Sequence, residues 1–191
     1  MPIPGRIVWF ALAIIALGAV VSTLALLGQH GGVSLSGAAR AAWAELRWPF
    51  PIDQWGRGKA FRCGARDCGA EINLYLRAKL GFCDCSTGVA NDDDLDRMSD
   101  FDLVGGEVSP LGAGRPIMVG SMKGRSRAYA IAAARGAPHQ TALAVAFNDR
   151  CDMVSAIAVV SHQEPRTAEP LVMEFLNGTT VLRWVEKTLG L

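Results

Sequence analysis

Histidine and charged side chains are scarce in this sequence of 191 residues. The three histidines, at positions 30, 139 and 162, are far apart, so no catalytic imidazole and no histidine-based metal site is indicated. Charged residues make up 19% of the chain and the net charge is +1, without the basic stripe and high pI of nucleic-acid binders. The composition therefore argues against nucleic acid as a partner.

Familiar catalytic motifs are also missing. The glycine-rich stretch "GAGRPIMVGSMKGRS" has Ile117 where a dinucleotide-binding motif needs its third glycine, and no P-loop motif occurs. Neither G-x-S-x-G nor H-E-x-x-H is present. Ser121 and Lys123, expected on one face of a strand, are the remaining candidates for a nucleophile pair, but any exposed strand face can show such a pair. The sequence predicts a non-catalytic protein without a cofactor.

One long hydrophobic run is present near the start of the chain. Residues 7–27 carry no charge and follow Arg6 directly. A helix of this length spans roughly 30 Å, the thickness of the hydrocarbon core of a bilayer. A secretory signal peptide has a shorter apolar region and a small-residue cleavage site, and it is the alternative. We predict a transmembrane anchor over residues 1–28 that contacts the lipid bilayer through residues 7–27.

Residues 29–58 have the composition of a linker. A flexible Gly/Ser-rich stretch comes first, and "AARAAWAELRW" then favours a short juxtamembrane helix that Pro49 ends. The rings of Trp43, Trp48 and Phe50 suit either the membrane interface or packing under the folded domain. Residues 59–191 are predicted to form the folded domain.

The domain itself shows two kinds of hydrophobic period. "AEINLYLRAKL" alternates, with Ile72, Leu74 and Leu76 on one face, which predicts a half-buried strand. In "NDDDLDRMSDFDLVGG" apolar residues recur every three positions behind a run of aspartates, which predicts a helix.

Later apolar runs suggest two hairpins, one turning at "KGRS" and one at "DRCD", before a helix that ends the chain. Strands adjacent in sequence and joined by short turns predict an antiparallel sheet. The predicted fold class is α+β, an N-terminal transmembrane helix followed by one small antiparallel-sheet domain with flanking helices.

Five cysteines are present, four of them between residues 63 and 85. Their spacing, C-x4-C-x14-C-x-C, matches neither the usual zinc knuckles nor an iron–sulfur or thioredoxin-like motif. Disulfides are therefore favoured over a metal site or redox exchange, with one bond between Cys63 and Cys68 and a second from Cys83 or Cys85 to Cys151. One cysteine stays free.

This cysteine content also suggests a location. It fits an oxidising compartment better than a cytosol. We predict a single-pass protein of the cytoplasmic (inner) membrane with its C-terminal domain in the periplasm.

Charge is segregated within the domain. Residues 84–107 are acidic and residues 115–135 are basic. Asp92, Asp94 and Asp96 open like a calcium loop, but Arg97 and Leu103 occupy the positions of its required Gly and Glu, and no metal site is predicted. The two segments either pair with each other or form a dipolar surface that steers a partner. The candidate partner-docking residues are Arg115, Lys123, Arg125, Arg127, Asp92, Asp93 and Asp94.

Together these patterns predict a non-catalytic accessory or assembly module that docks on another envelope protein. A thiol-redox or metal-handling domain using Cys83 and Cys85 is the alternative from another class. A hydrolase built on Ser121 and Lys123 is a weaker one.

Overall fold

The computed structural model describes residues 41–132 and 140–191. The strands in chain order are β1 (Trp43–Leu46), β2 (Lys59–Cys63), β3 (Ile72–Lys79), β4 (Val108–Pro110), β5 (Arg115–Val119), β6 (Met122–Ile131), β7 (Gln140–Asp149) and β8 (Asp152–Ser161). The helices are α1 (Ala65–Cys68), α2 (Asp92–Met98), α3 (Pro165–Leu176) and α4 (Thr179–Leu189), and a short 3₁₀ helix covers Phe101–Leu103.

All eight strands belong to one antiparallel sheet. Its order is β1-β2-β3-β8-β7-β6-β4, and β5 also pairs with β6. Strand β5 pairs with the first half of β6 and β4 with the second half, so the two short strands follow one another along the same edge. The opposite edge of the sheet is β1.

The two central strands are buried on both faces. Strands β7 and β8 are near-continuous runs of alanine and larger apolar residues, a pattern typical of strands covered from both sides. On one face their larger side chains pack against α3 and α4, through Val172 and Leu176 of α3 and Val185 and Leu189 of α4. This face holds the larger core.

The segment between β3 and β4 covers the other face. Helix α2 begins after Asn91, whose side chain accepts a hydrogen bond of 2.9 Å from the backbone N–H of Asp94. Leu95 and Met98 of this helix are buried against Tyr129 and Ile131 of β6. The domain therefore has three layers, with the sheet in the middle.

The predicted fold class is wrong for this chain. One eight-stranded antiparallel sheet dominates, and none of the helices within residues 41–132 and 140–191 has the length and apolarity needed to cross a membrane. Residues 1–28, where the transmembrane anchor was predicted, lie outside the described residues. Sequence patterns missed β1, β2 and β4 because strands of three to five residues leave almost no periodicity.

The helix expected before Pro49 is also wrong. Residues Trp43–Leu46 form strand β1, paired along its length with β2. Ala, Leu and Glu favour a helix locally, but this preference is weak and tertiary pairing overrides it. Trp48 is buried against Phe50 and Tyr75, and Trp43 stacks on Phe175 of α3, so all three aromatic rings pack on the domain.

Both predicted hairpins are present, but one turn is displaced. The "DRCD" turn is confirmed between β7 and β8, where Asp149 pairs with Asp152. The first turn was predicted at Lys123–Ser126 and lies instead at Gly120 and Ser121, where Gly120 adopts the left-handed conformation with a φ of 57°. The predicted turn residues belong instead to strand β6, where Gly124 and Ser126 are buried and Lys123 is exposed.

Candidate functional site

Four of the five cysteines form two disulfides. Cys63 and Cys68 are joined with an S–S distance of 1.97 Å, and Cys85 and Cys151 with a distance of 2.00 Å. The first bond closes a short loop between the end of β2 and α1, and it is buried. The second ties the loop after β3 to the β7–β8 turn. The predicted disulfide bonding is therefore confirmed, and Cys85 is the partner of Cys151.

Cys83 is the free cysteine. Its thiol is buried and donates a hydrogen bond of 3.3 Å to the carbonyl oxygen of Arg150, while its backbone N–H donates to the carbonyl oxygen of Cys151 at 3.2 Å. Burial raises the pKa of the Cys83 thiol, and the nearby carboxylates of Asp152 and Asp84 add to the rise. At neutral pH Cys83 is therefore a protonated thiol and a poor nucleophile or metal ligand.

The cysteines show no arrangement suited to holding a metal. Cys83 and Cys85 cannot act as a thiol pair while Cys85 is bonded to Cys151. Within the part of the chain that the structure describes, no three His, Cys, Asp or Glu side chains converge as metal ligands would.

The acidic and basic segments meet inside the domain. Asp92, at the start of α2, lies 2.6 Å from the guanidinium of Arg125 and 3.8 Å from that of Arg127, and it accepts a hydrogen bond of 2.9 Å from the backbone N–H of Gly114. The Gly114 N–H lowers the pKa of Asp92, and the two arginines lower it further. This cluster fastens α2 to the sheet.

A second acid of α2 continues the same contact. Asp96 lies 2.9 Å from the guanidinium of Arg127 and accepts a hydrogen bond from the hydroxyl of Tyr129. Burial raises the pKa of Tyr129, and the Asp96 carboxylate raises it further. The tyrosine thus remains a neutral hydrogen-bond donor to Asp96.

The remaining docking candidates are distributed around the surface. Arg115 donates to the buried Glu169 of α3 at 2.9 Å, and Asp94 pairs with Arg97 at 2.6 Å. Lys123 and Asp93 are exposed and form no ion pair within the described residues. The docking role of all seven residues stays a prediction, although five of them have partners within the domain.

The proposed nucleophile pair is not in an enclosed site. Ser121 lies in the turn after β5 and Lys123 near the start of β6, and both side chains are exposed. A catalytic serine needs a base held close to it and shielded from water.

A different concave surface, which sequence patterns did not indicate, runs along β1. Two concavities of about 510 and 370 Å³ lie between β1 and the α3–α4 pair, and a third of about 290 Å³ adjoins them between the β1–β2 connection and Trp184 of α4. We call the three together the edge groove. The first and second share Thr180, and the second and third share Glu45, Lys59 and Trp184. The groove is therefore continuous along the edge strand.

Aromatic rings line the first concavity, which we call the Trp43 end of the groove. Trp43 stacks on Phe175 of α3 with ring centroids 4.6 Å apart, and Phe61 contacts the same ring edge-on at 4.8 Å. Trp184 of α4, half-buried, lines the second and third concavities.

Close packing at Gly58 shapes the third concavity. A Cβ atom there would lie 2.2 Å from the carbonyl oxygen of Leu76 and 2.6 Å from the ring of Trp48. Only glycine allows the chain to enter β2 this close to β3 and Trp48. Gly58 and Trp48 both line the third concavity at this contact.

The second and third concavities are positively charged, and we call them the cationic end of the groove. Arg183 and Lys187 line the second concavity, and Arg47 and Arg57 line the third. All four are exposed, and none of them forms an ion pair with a described acid. Glu45, the one acid in these two concavities, is paired with Lys59.

Sequence reasoning missed this surface because it depends on pairing between distant segments. The chain matches no protein-family model, no curated protein and no solved structure, so no relative supplies a function for the edge groove.

Proposed function

We propose that this chain is an extracytoplasmic, non-catalytic protein-binding domain that docks on another protein of the cell envelope as an accessory or assembly subunit. The observation that carries the proposal is the edge groove, a continuous concave surface beside a sheet edge that has no strand partner on its outer side within the described residues. Binding surfaces of this kind combine apolar anchor points with a charged rim.

The two disulfides support the extracytoplasmic part of the proposal. Disulfides persist in oxidising compartments such as the periplasm and are rare in the cytosol, where thiols are kept reduced. Contact of residues 7–27 with a lipid bilayer stays a prediction from the sequence, because those residues lie outside the described part of the chain. The thiol-redox alternative is disfavoured by the protonated state of Cys83 and the bonding of Cys85.

Protein docking can be tested with a photo-crosslinking amino acid in the native host. We expect a crosslinked second protein when the probe replaces Thr180 in the edge groove. We expect none when it replaces Asp102, which is also exposed but lies in the segment that covers the opposite face of the sheet. Absence of a crosslink at both Thr180 and Trp184 would contradict docking through this surface.

Location is tested separately with reporters fused after Leu191. An alkaline phosphatase fusion, which needs disulfides of its own, should be active, and a green fluorescent protein fusion exported in the same way should be dark. The reverse pattern would place the domain in the cytosol and overturn the proposed location.

A further inference from the structure

Resting on the proposed function, we propose that the edge groove binds an extended segment of its partner, which adds to β1 as a further strand. The segment would carry an apolar side chain for the Trp43 end of the groove and acidic side chains, two residues apart, for the cationic end. Strand addition supplies affinity through main-chain hydrogen bonds and specificity through alternate side chains.

The backbone of β1 is the first element of this inference. Strand β1 pairs with β2 on one side, and no described strand pairs with its other side. Alternate residues of an edge strand point their N–H and C=O groups away from the sheet, which makes the edge a template for another strand. Proteins often block such edges with lysine or proline, and the four residues WAEL contain neither.

The position of the groove relative to β1 is the second element. Trp43 and Glu45 line the first two concavities, which lie on one face of the strand, and the third also includes Leu46 of the opposite face. Side chains two residues apart in an added strand project to that same face at intervals of about 6.7 Å. A segment lying along β1 can therefore place successive same-face side chains in the first and second concavities, and the next one can reach the third, which shares Glu45, Lys59 and Trp184 with the second.

Charge complementarity decides which side chains fit. Four cations, Arg183, Lys187, Arg47 and Arg57, line the second and third concavities without an acidic partner in the described chain. Acidic side chains of an incoming strand would neutralise them. The first concavity contains Trp43, Leu171 and Phe175, against which an apolar side chain can pack.

Two other occupants fit this surface less well. A second copy of the chain, paired antiparallel through its own β1, would add the strand WAEL, whose one acid, Glu45, is already paired with Lys59. Residues 28–40 of the same chain contain Arg40 and no acid, so they cannot neutralise the cationic end.

The test uses the full chain in a non-ionic detergent and labelled synthetic peptides. The probes are Thr-Phe-Thr-Glu-Thr-Glu-Thr and the peptide of reversed order, since an added strand can run in either direction along the edge. We expect one of them to bind by fluorescence anisotropy, and we expect the peptide with both glutamates replaced by lysine to bind at least about tenfold more weakly. Failure of both acidic peptides to bind would overturn the inference.

The strand geometry is tested by N-methylation of the peptide. Within a strand, the N–H groups of the Phe and Glu residues point to one edge and those of the threonines to the other. Methylation of one set should abolish binding while methylation of the other set leaves it almost unchanged. Equal effects of the two sets would exclude strand addition.

Charge reversal in the protein provides the matched comparison. The Arg183→Glu/Lys187→Glu variant should lose binding by about tenfold or more, whereas Arg66→Glu/Arg150→Glu, two exposed cations outside the groove, should not. Equal losses in the two variants would contradict binding in the groove.

The two proposals fail in different ways. A crosslinked partner at Thr180 without peptide binding would overturn strand addition and leave protein docking standing. Peptide binding without any crosslinked partner would support the groove's chemistry and overturn docking in the envelope.

Discussion

The ammonium group of Lys79 lies 2.9 Å from a carboxylate oxygen of Asp100, and both side chains are almost completely buried. Lys79 also donates a hydrogen bond of 2.8 Å to the carbonyl oxygen of Met98. Arg77, the third buried charge of this cluster, lies 3.6 Å from Asp100 and 2.6 Å from Asp53. The cluster links β3 to the end of α2 and to the loop before β2.

Removing the charge of Asp100 should destabilise the domain strongly. In Asp100→Asn the ammonium of Lys79 stays buried without a counter-charge, and we expect a loss of about 3–5 kcal/mol in the free energy of unfolding. Urea denaturation of wild type and variant measures the difference. Asp102→Asn, an exposed neighbour in the 3₁₀ helix, should change it by less than about 0.5 kcal/mol.

A double variant separates pairing from packing in the same cluster. Lys79→Met with Asp100→Leu removes both charges and keeps apolar volume, so it should lose less stability than Asp100→Asn alone. An equal or larger loss in the double variant would show that the ion pair is not the source of the effect.

Because the Cys83 thiol is buried, it should be alkylated slowly in the folded protein, and it should make the stability of the domain depend on pH. Iodoacetamide should label Cys83 much more slowly in the folded protein than in urea at pH 8, because the raised pKa keeps the folded thiol protonated. Since the pKa is raised on folding, its contribution is fully present below the unfolded pKa of about 8.5 and is lost as the pH rises through the folded value.

The comparison with Cys83→Ala isolates this contribution from the tyrosines and lysines that titrate in the same range. Stability of the wild type should fall more steeply than that of the variant above about pH 8.5. Parallel stability curves, or rapid labelling in the folded state, would disagree with a buried neutral thiol.

Local patterns predicted the elements whose partners lie nearby in sequence. The alternation of Ile72, Leu74 and Leu76 gave the inner face of β3, and Leu95 and Met98 marked the buried side of α2. The presence of disulfides could also be predicted from cysteine spacing, but the choice of Cys85 over Cys83 as the partner of Cys151 depends on tertiary structure.

The same alternation failed on the opposite face of β3. Arg77 belongs to the polar side of the pattern, yet its side chain is buried, because the segment between β3 and β4 packs over that face. A period of two identifies two faces but cannot tell which distant segment covers each. The edge groove was missed for a related reason, since β1 exists only through its pairing with β2.

Asp92 should stabilise the domain in a way that depends on acid pH. Its pKa is lowered by the Gly114 N–H, Arg125 and Arg127, so the stabilisation is present above the unfolded pKa of about 3.9 and is lost as the pH falls. In Asp92→Asn we expect a lower urea midpoint at pH 7 and a flatter decline in stability below about pH 4.

The neighbouring residue provides the control for this change. Asp93 is in the same first turn of α2, but it is exposed and forms no ion pair within the described residues. Asp93→Asn should leave both the midpoint and the acid slope nearly unchanged. A larger effect at Asp93 than at Asp92 would mean that the helix dipole, not the contact with the sheet, sets the acid sensitivity.

The two disulfides should differ both in their contribution to stability and in their resistance to reduction. Cys85 and Cys151 are separated by 66 residues and Cys63 and Cys68 by five. On the chain-entropy model the longer loop is worth about 4 kcal/mol and the shorter about 2 kcal/mol. Replacing each pair by serine and measuring urea unfolding should therefore give the larger loss for Cys85→Ser/Cys151→Ser.

Accessibility predicts the order in which the bonds open. Cys85 is exposed, whereas both sulfurs of the Cys63–Cys68 bond belong to buried residues. Thiol–disulfide exchange requires the attacking thiolate to reach a sulfur atom, so low concentrations of dithiothreitol should reduce Cys85–Cys151 first. Alkylation followed by peptide mass mapping reports the order, and earlier reduction at Cys63 would mean that the β2–α1 loop opens more readily than its burial implies, because reagent access there requires local unfolding.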